Sequence, residues 1–233
     1  MAQAADALDA IPASTRLPGV LHRQQLLRLT DAGWAQVLAA PWDANARSCL
    51  GLWAARGLPL VVTRQPPTQD ATIATGLPAP ARHRRRRLAV AVAPGDVMFF
   101  DEFPAADGAT RLLPRTLAAP WRALLASLAA TGCAARVYGG YGWQALTRLA
   151  YVHADSDLDL LLPVSGPEHA DAVAHLLAAS AWTGPRLDGE LSWPDGAAIA
   201  WREWLAHRQG RSAQVLVKRL HGVALEAPGA SAA

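Results

Sequence analysis

The spacing of apolar residues in the second half of the chain predicts helices that alternate with strands. Apolar residues recur at the helical period over 117–131, and a second helix is predicted from Pro167, a favoured first-turn residue, to about residue 181. A glycine turn precedes a shorter predicted helix near 143–149. Runs with the spacing of strands lie at 135–138, 155–164, 186–193, 199–205, 214–220 and 223–225.

The first half of the chain has a different pattern. It is rich in proline and breaks into short apolar runs such as Leu60–Val62, which predicts short strands and loops rather than long helices. The composition changes near 104–116. We therefore expect two domains, a strand-rich one over 1–116 and one over 117–233. The fold class is α/β (α+β), with a mixed sheet and flanking helices in the second domain.

Composition limits where the protein works. The chain has 233 residues, of which 52% are hydrophobic, so it can bury a substantial core. No apolar run is long enough to span a membrane, and residues 1–6 lack the basic and apolar stretches of a signal peptide. Cys49 and Cys133 are far apart and fit no zinc or disulfide pattern. We expect a cytoplasmic, reduced protein without a membrane partner.

The basic residues exclude one large class of enzyme. Of 22 basic residues only Lys218 is a lysine, and it follows a valine, so the chain has no P-loop. The formal net charge of +3 is small for a nucleic-acid-binding protein, and we expect no nucleic-acid partner. One basic run, Arg82–Arg87, is either a solvated loop entering a strand or an anion-binding lip.

Candidate chemistry concentrates in one segment of the second half. Gly139 and Gly140 end a predicted strand and open a helix. Fifteen residues later, Asp155, Asp157 and Asp159 alternate with other residues along a predicted strand, so they would share one face. Three carboxylates on one face repel each other unless a cation or solvent offsets their charge. Oxygen ligands without nearby histidine or cysteine suit Mg²⁺ or Mn²⁺.

Three other interpretations of this segment fit the sequence less well. An EF-hand loop from Asp155 would need glycine and glutamate where Leu160 and Gly166 stand, so it fails. Residues 140–145 match the Rossmann glycine fingerprint weakly, but the preceding strand is not wholly apolar. A plain solvated acidic loop does not need three aspartates in phase before an apolar run. A site for polyphosphate and a divalent metal is the interpretation we favour.

This order of motifs resembles the DNA polymerase β-type nucleotidyltransferase superfamily. The resemblance implies that Gly139 and Gly140 hold phosphates through backbone amides and that Asp157 and Asp159 bind the metal. We expect Asp155 nearby, either as a supporting ligand or as an acceptor of hydrogen bonds from the metal's ligands. The gap between the two motifs is longer than in minimal members. Glycine also stands at 140, where many members have serine.

The wider segment resembles a narrower family, the malonate decarboxylase holo-[acyl-carrier-protein] synthases, which are phosphoribosyl-dephospho-CoA transferases. The similarity covers about 136–225, through the runs 138–147, 151–161, 188–190, 201–203 and 215–218. It implies transfer from 2′-(5″-triphosphoribosyl)-3′-dephospho-CoA to a serine of the acyl carrier protein subunit, with release of pyrophosphate. Another nucleotidyltransferase of the same superfamily, or a non-catalytic nucleotide-binding module, is the alternative.

The superfamily places a third carboxylate on a later strand. Asp188, Glu190 and Glu203 are the candidates, and Glu190 and Glu203 are the preferred pair, one of which would ease deprotonation of the acceptor serine. Arg202 and Lys218 are expected on strands, where they would either face the triphosphate or pair with carboxylates on neighbouring strands.

Overall fold

A computed structural model describes residues 21–67 and 71–227, which form two sheets with separate cores. The strands of the first sheet are β1 (Leu26–Leu29), β2 (Leu60–Val62), β3 (Ile73–Pro78), β4 (Arg87–Val92) and β5 (Val97–Asp101). They are antiparallel in the order β4-β3-β2-β1-β5. Buried and exposed residues alternate strictly along β4, as expected for a strand with one face on a core.

Two helices that the sequence did not predict belong to the first part. They are α1 (Asp31–Ala39) and α2 (Ala44–Ala55). Each begins after a side chain that caps it, because Thr30 Oγ1 accepts a hydrogen bond from Gly33 N and Asp43 Oδ1 accepts one from Ala46 N. The strand-rich prediction is therefore right about the sheet and wrong in omitting the helices.

The second sheet is mixed. Its strands are β6 (Arg136–Val137), β7 (Leu158–Pro163), β8 (Leu187–Ser192), β9 (Ala198–Ala200), β10 (Val215–Lys218) and β11 (Val223–Glu226). They lie in the order β11-β10-β9-β8-β7-β6, and only the β7–β8 pair is parallel. The remaining α-helices are α3 (Ala118–Ala130), α4 (Gly139–Thr147), α5 (Pro167–Ala179) and α6 (Trp201–Arg208), and short 3-10 helices cover Ala81–His83, Pro94–Asp96, Ala106–Leu112 and Arg115–Leu117. The predicted mixed sheet with flanking helices is confirmed.

One predicted strand is wrong. The segment 199–205 was expected to be extended, but β9 ends at Ala200 and α6 begins at the next residue. The side chains of Trp201, Trp204 and Leu205 are all buried, a spacing of three and four residues that belongs to one face of a helix. Arg202 and Glu203 consequently lie on a helix and not on a strand.

The two parts of the chain meet around α4. Trp143 on this helix packs into the first core, with its ring centroid 5.4 Å from that of Phe103 and 6.4 Å from that of Trp53. Ala106 and Ala109 belong to the second core, although the boundary predicted at residue 116 assigns them to the first domain. Helix α4 thus joins the cores of both sheets.

No helix among the described residues combines the length and the apolar character needed to cross a bilayer. Residues 1–6, on which the signal-peptide prediction rests, lie outside the described part of the chain.

Candidate functional site

The glycine turn at the start of α4 lies directly against Asp159. Tyr138 N donates to the backbone oxygen of Asp159 at 3.0 Å, which joins β6 to β7 at this point. Gly139 then adopts φ +58°, and a Cβ placed on it would lie 1.8 Å from Asp159 Oδ2. Only glycine tolerates both this conformation and this contact, so the two sequence motifs are brought together as predicted.

The first turn of α4 is open to an anion. Its N-cap residue, Tyr138, makes no side-chain hydrogen bond to the first amides of the helix. A Cβ on Gly140 would meet nothing closer than Ser156 Oγ at 3.9 Å, so there is space beside this residue. Unpaired amides and the helix dipole make such a terminus a favourable place for phosphate oxygens.

An acidic cluster lies beside this turn, where β7 and β8 run parallel. Asp159 on β7 is in register with Asp188 on β8, and Asp157 immediately precedes β7. Arg186 bridges two of the three carboxylates, with its Nη2 2.5 Å from Asp157 Oδ2 and 3.3 Å from Asp188 Oδ2. Its hydrogen bonds hold the pKa of Asp157 below the usual range.

Asp159 is the carboxylate without such support. No side-chain hydrogen bond or ion pair to it is formed within the described residues. Burial, followed by repulsion from Asp188 and Asp157, raises the pKa of Asp159 to about 6. A half-buried carboxylate in this position is ready to accept a cation.

Asp155 does not belong to this cluster. It lies in an exposed turn, and the strand begins only at Leu158, so the expectation that three aspartates share one strand face is wrong. Within residues 21–67 and 71–227, no three acidic, histidine or cysteine side chains already converge as a set of metal ligands. Asp157, Asp159 and Asp188 nevertheless supply only oxygen donors and more negative charge than Arg186 balances, which is the chemistry that Mg²⁺ requires.

Glu190 and Lys218 pair with each other. Lys218 Nζ donates to Glu190 Oε1 at 2.6 Å, and the Glu190 side chain is only 7% exposed. Of the two alternatives for Lys218, facing the triphosphate or pairing with a carboxylate of another strand, the structure shows the second. Glu203, on α6, accepts a hydrogen bond from Leu216 N at 3.0 Å. The structure thus aligns Asp188, rather than either preferred glutamate, with Asp159.

Arg202 lies at the edge of the acidic cluster. Its Nη2 donates to Leu187 O at 3.0 Å, and its guanidinium carbon is 4.2 Å from the centroid of the Trp201 ring. Its charge also contributes to the lowered pKa of Asp157. Arg202 is therefore held near the cluster by a backbone hydrogen bond and a ring, and it forms no ion pair with a carboxylate of the described residues.

Three charged or polar residues of this region were not singled out from the sequence. Arg186 belongs to no sequence motif, because its contacts with Asp157 and Asp188 depend on the pairing of β7 with β8. Burial and the neighbouring Glu190, Asp159 and Asp188 carboxylates raise the pKa of Tyr138. Arg23, from the first part of the chain, has a buried Nε without a hydrogen-bond partner in the structure.

Carboxylates that face an uncapped helix N-terminus are typical of enzymes that act on phosphate groups. Comparison with protein families identifies which of these enzymes the chain is related to. The N-terminal domain of phosphoribosyl-dephospho-CoA transferase MdcG matches residues 12–103, and its C-terminal domain matches residues 105–228. The chain belongs to this family and is a transferase.

Curated relatives support the assignment along most of the chain. A phosphoribosyl-dephospho-CoA transferase of Bradyrhizobium diazoefficiens is 36% identical over 214 residues, covering 90% of each chain. Its counterpart in Xanthomonas euvesicatoria is 39% identical over 186 residues, which is 77% of this chain and 84% of the relative. One from Pseudomonas aeruginosa is 34% identical, covering 72% of this chain and 78% of the relative.

No solved structure matches the chain significantly. The wider assignment to the polymerase β-type superfamily therefore stays a prediction.

Proposed function

We propose that the protein transfers phosphoribosyl-dephospho-CoA from 2′-(5″-triphosphoribosyl)-3′-dephospho-CoA to a serine of the acyl carrier protein subunit of malonate decarboxylase. The family gives the transferred group. The observation that carries the rest is the contact between the Gly139 turn and Asp159, because it puts amides for a polyphosphate beside carboxylates.

The reaction is an in-line displacement at phosphorus. The serine oxygen attacks the α-phosphorus of the triphosphate, a new bond between this oxygen and phosphorus forms, and the bond to the bridging oxygen breaks. Pyrophosphate leaves with that oxygen, and the serine proton passes to the carboxylate of Asp188. Such transfers depend mainly on positioning and on neutralising charge.

The acidic residues would hold Mg²⁺ or Mn²⁺ through Asp157 and Asp159. When bound, the ion neutralises the polyphosphate and orients it for displacement. The amides of Gly139 and Gly140 bind the terminal phosphates, and Arg202 faces the same anion from α6. Glu190 and Lys218 form an ion pair, and Glu190 is close enough to contribute to the raised pKa of Asp159.

The direct test is the intact mass of the carrier subunit after incubation with enzyme, Mg²⁺ and the triphosphoribosyl donor. We expect the mass of one phosphoribosyl-dephospho-CoA group to be added and pyrophosphate to be released in equal amount. Modification with ATP instead of this donor would indicate another nucleotidyltransferase. Modification with neither compound contradicts the proposal.

Substitutions in the acidic cluster test the assigned roles. Asp159→Asn and Asp188→Asn are expected to lower the transfer rate at least about 100-fold, because each removes a charge that acts on the reacting phosphate. Asp107→Asn removes an exposed carboxylate elsewhere and should keep the wild-type rate. Wild-type turnover by Asp159→Asn in the presence of Mg²⁺ would refute the metal assignment.

A further inference from the structure

Six exposed arginines belong to three segments of the chain that meet at the far end of α4. We call them the arginine patch: Arg56, Arg82, Arg84, Arg85, Arg87 and Arg148. Arg56 Nη2 donates to Thr147 O at 2.8 Å, which places it beside Arg148 at the end of the helix. The loop over residues 79–87, which we call the basic loop, is held against the same place, because Ala81 N donates to Ala150 O at 3.2 Å.

The basic loop is folded so that its arginines point outward. His83 is only 8% exposed and faces inward between exposed neighbours. Backbone hydrogen bonds from His83 N to Pro80 O and from Arg84 N to Ala81 O close the turn. Below it, Ala79 N donates to Arg86 O at 2.7 Å, so the loop is an ordered turn that presents the cations.

The patch lacks the carboxylates that would neutralise it. In the described part of the chain the only ion pair of this loop is that of Arg86 with Asp43, at 2.5 Å, and Arg86 is not part of the patch. None of the six patch arginines has an acidic partner there. A solvated face usually mixes both signs, whereas a surface of one sign attracts a partner of the opposite sign.

The exposure of the patch favours an acidic protein surface over a small anion. A single phosphate is held best by a few convergent donors. Here six exposed side chains are spread over the end of α2, the basic loop and the end of α4. Helix α4 has nine residues and is therefore about 13 Å long, so Arg148, just past its end, lies about one helix length from the Gly139 turn.

We propose that the arginine patch is the docking surface for an acidic face of the protein acceptor. This inference rests on the proposed function in one respect, that the acceptor is the carrier subunit. A carrier seated on the patch presents its serine to the Asp159 end of α4, one helix length away. Docking charges act mainly on encounter and on affinity and not on the chemical step.

The test compares two triple variants that each remove three positive charges. Arg84→Asn, Arg85→Asn and Arg87→Gln remove half of the patch, and asparagine suits the positive φ at 84 and 85. The matched control combines Arg111→Gln, Arg115→Gln and Arg122→Gln, which are exposed arginines outside the patch. Binding of the apo carrier subunit is measured without donor by calorimetry at 50 and 300 mM salt. Initial rates give KM for the carrier and for the donor.

We expect the patch variant to weaken carrier binding and raise KM for the carrier at least about tenfold at low salt. Its kcat and KM for the donor should stay at wild-type values, and the control should change by less than about twofold. A raised KM for the donor alone would assign the patch to donor phosphates and overturn the proposal. Unchanged carrier binding would also overturn it.

The same measurements separate this inference from the proposed function. If the wild type binds the carrier in a patch-dependent way but never modifies it, docking stands and the proposed transfer to this carrier fails. If transfer occurs and the patch variant behaves as wild type, docking fails and the function stands. A short RNA that loses affinity for the patch variant, with carrier binding unchanged, would assign the patch to nucleic acid.

Discussion

Gly139 and Gly140 are neighbours in sequence, yet the structure constrains only the first of them. Gly139 combines φ +58° with a Cβ position 1.8 Å from Asp159 Oδ2. We predict that Gly139→Ala lowers the free energy of unfolding by about 2 kcal/mol, because either the backbone or Asp159 must move. Urea unfolding measures the change.

Gly140→Ala is the matched control for this substitution. Gly140 does not have a positive φ, and a Cβ there would have its nearest contact at 3.9 Å. Alanine also favours a helix more than glycine, so stability should be equal or up to about 1 kcal/mol higher. Equal losses in both variants would contradict the close contact of Gly139 with Asp159.

We expect His22 to make the stability depend on pH. Its Nε2 is 3.0 Å from Glu102 Oε1, and this hydrogen bond raises the pKa of His22 above its ordinary value of 6.5. The stabilisation is therefore complete below pH 6.5 and is lost as the pH rises through the raised pKa of the folded state. Both side chains are about a third exposed, so the contribution stays below about 1 kcal/mol.

The difference between wild type and His22→Gln in free energy of unfolding should be larger at pH 5.5 than at pH 8.5. Urea unfolding at the two pH values measures it. A difference that grows with pH has the wrong sign for a protonated His22 paired with Glu102.

At the scale of elements, the ion pair of Glu190 and Lys218 connects β8 with β10 across β9. The carboxylate is almost fully buried, so removing its partner leaves an uncompensated charge. We predict that Lys218→Met lowers the free energy of unfolding by about 3 kcal/mol. The double variant with Glu190→Gln should recover more than half of this loss, as measured by a double-mutant cycle in urea.

The expected coupling distinguishes this role from direct contact with the substrate. If the two residues bound the donor independently, each substitution would change the free energy of unfolding very little, and the two changes would add. Additive effects would therefore contradict the pairing of Glu190 with Lys218.

Local sequence patterns predicted the helices and strands in which the buried residues recur at a single period throughout. The helices at 118–130 and 167–179 were found because their apolar residues face one core throughout. The error at Trp201 arose because a strand and a helix follow each other without a turn, and a few apolar residues fit both periods. Asp155 was misplaced for a similar reason, since the polar residues before Leu158 continue the alternation of the strand without forming part of it.

At the scale of the whole molecule, part of the site could not be predicted from local patterns. The glycine turn and Asp157 with Asp159 were identified from their order in the chain. Asp188 was only one of three candidates, because its position depends on the parallel register of β7 with β8. The same register places two carboxylates, those of Asp157 and Asp188, within reach of Arg186. Pairings of this kind arise from tertiary structure and leave no periodic signal.

We expect the junction at Trp143 to decide whether the two sheets unfold together. This side chain comes from α4, which carries the glycine turn of the second sheet, yet it is buried against Phe103 and Trp53 in the first core. We predict that Trp143→Ala lowers the free energy of unfolding by about 3–5 kcal/mol. It should also split urea unfolding into two transitions, seen by far-ultraviolet circular dichroism and tryptophan fluorescence.

Trp121→Ala is the control for this prediction. Trp121 is fully buried in the second core alone and should cost a similar free energy. Its unfolding should keep one transition, because the packing between the cores is intact. Since the Gly139 turn belongs to the same helix as Trp143, the separation of transitions should also lower transferase activity below the unfolding midpoint. A single, coincident transition in Trp143→Ala would show that other contacts suffice to couple the two sheets.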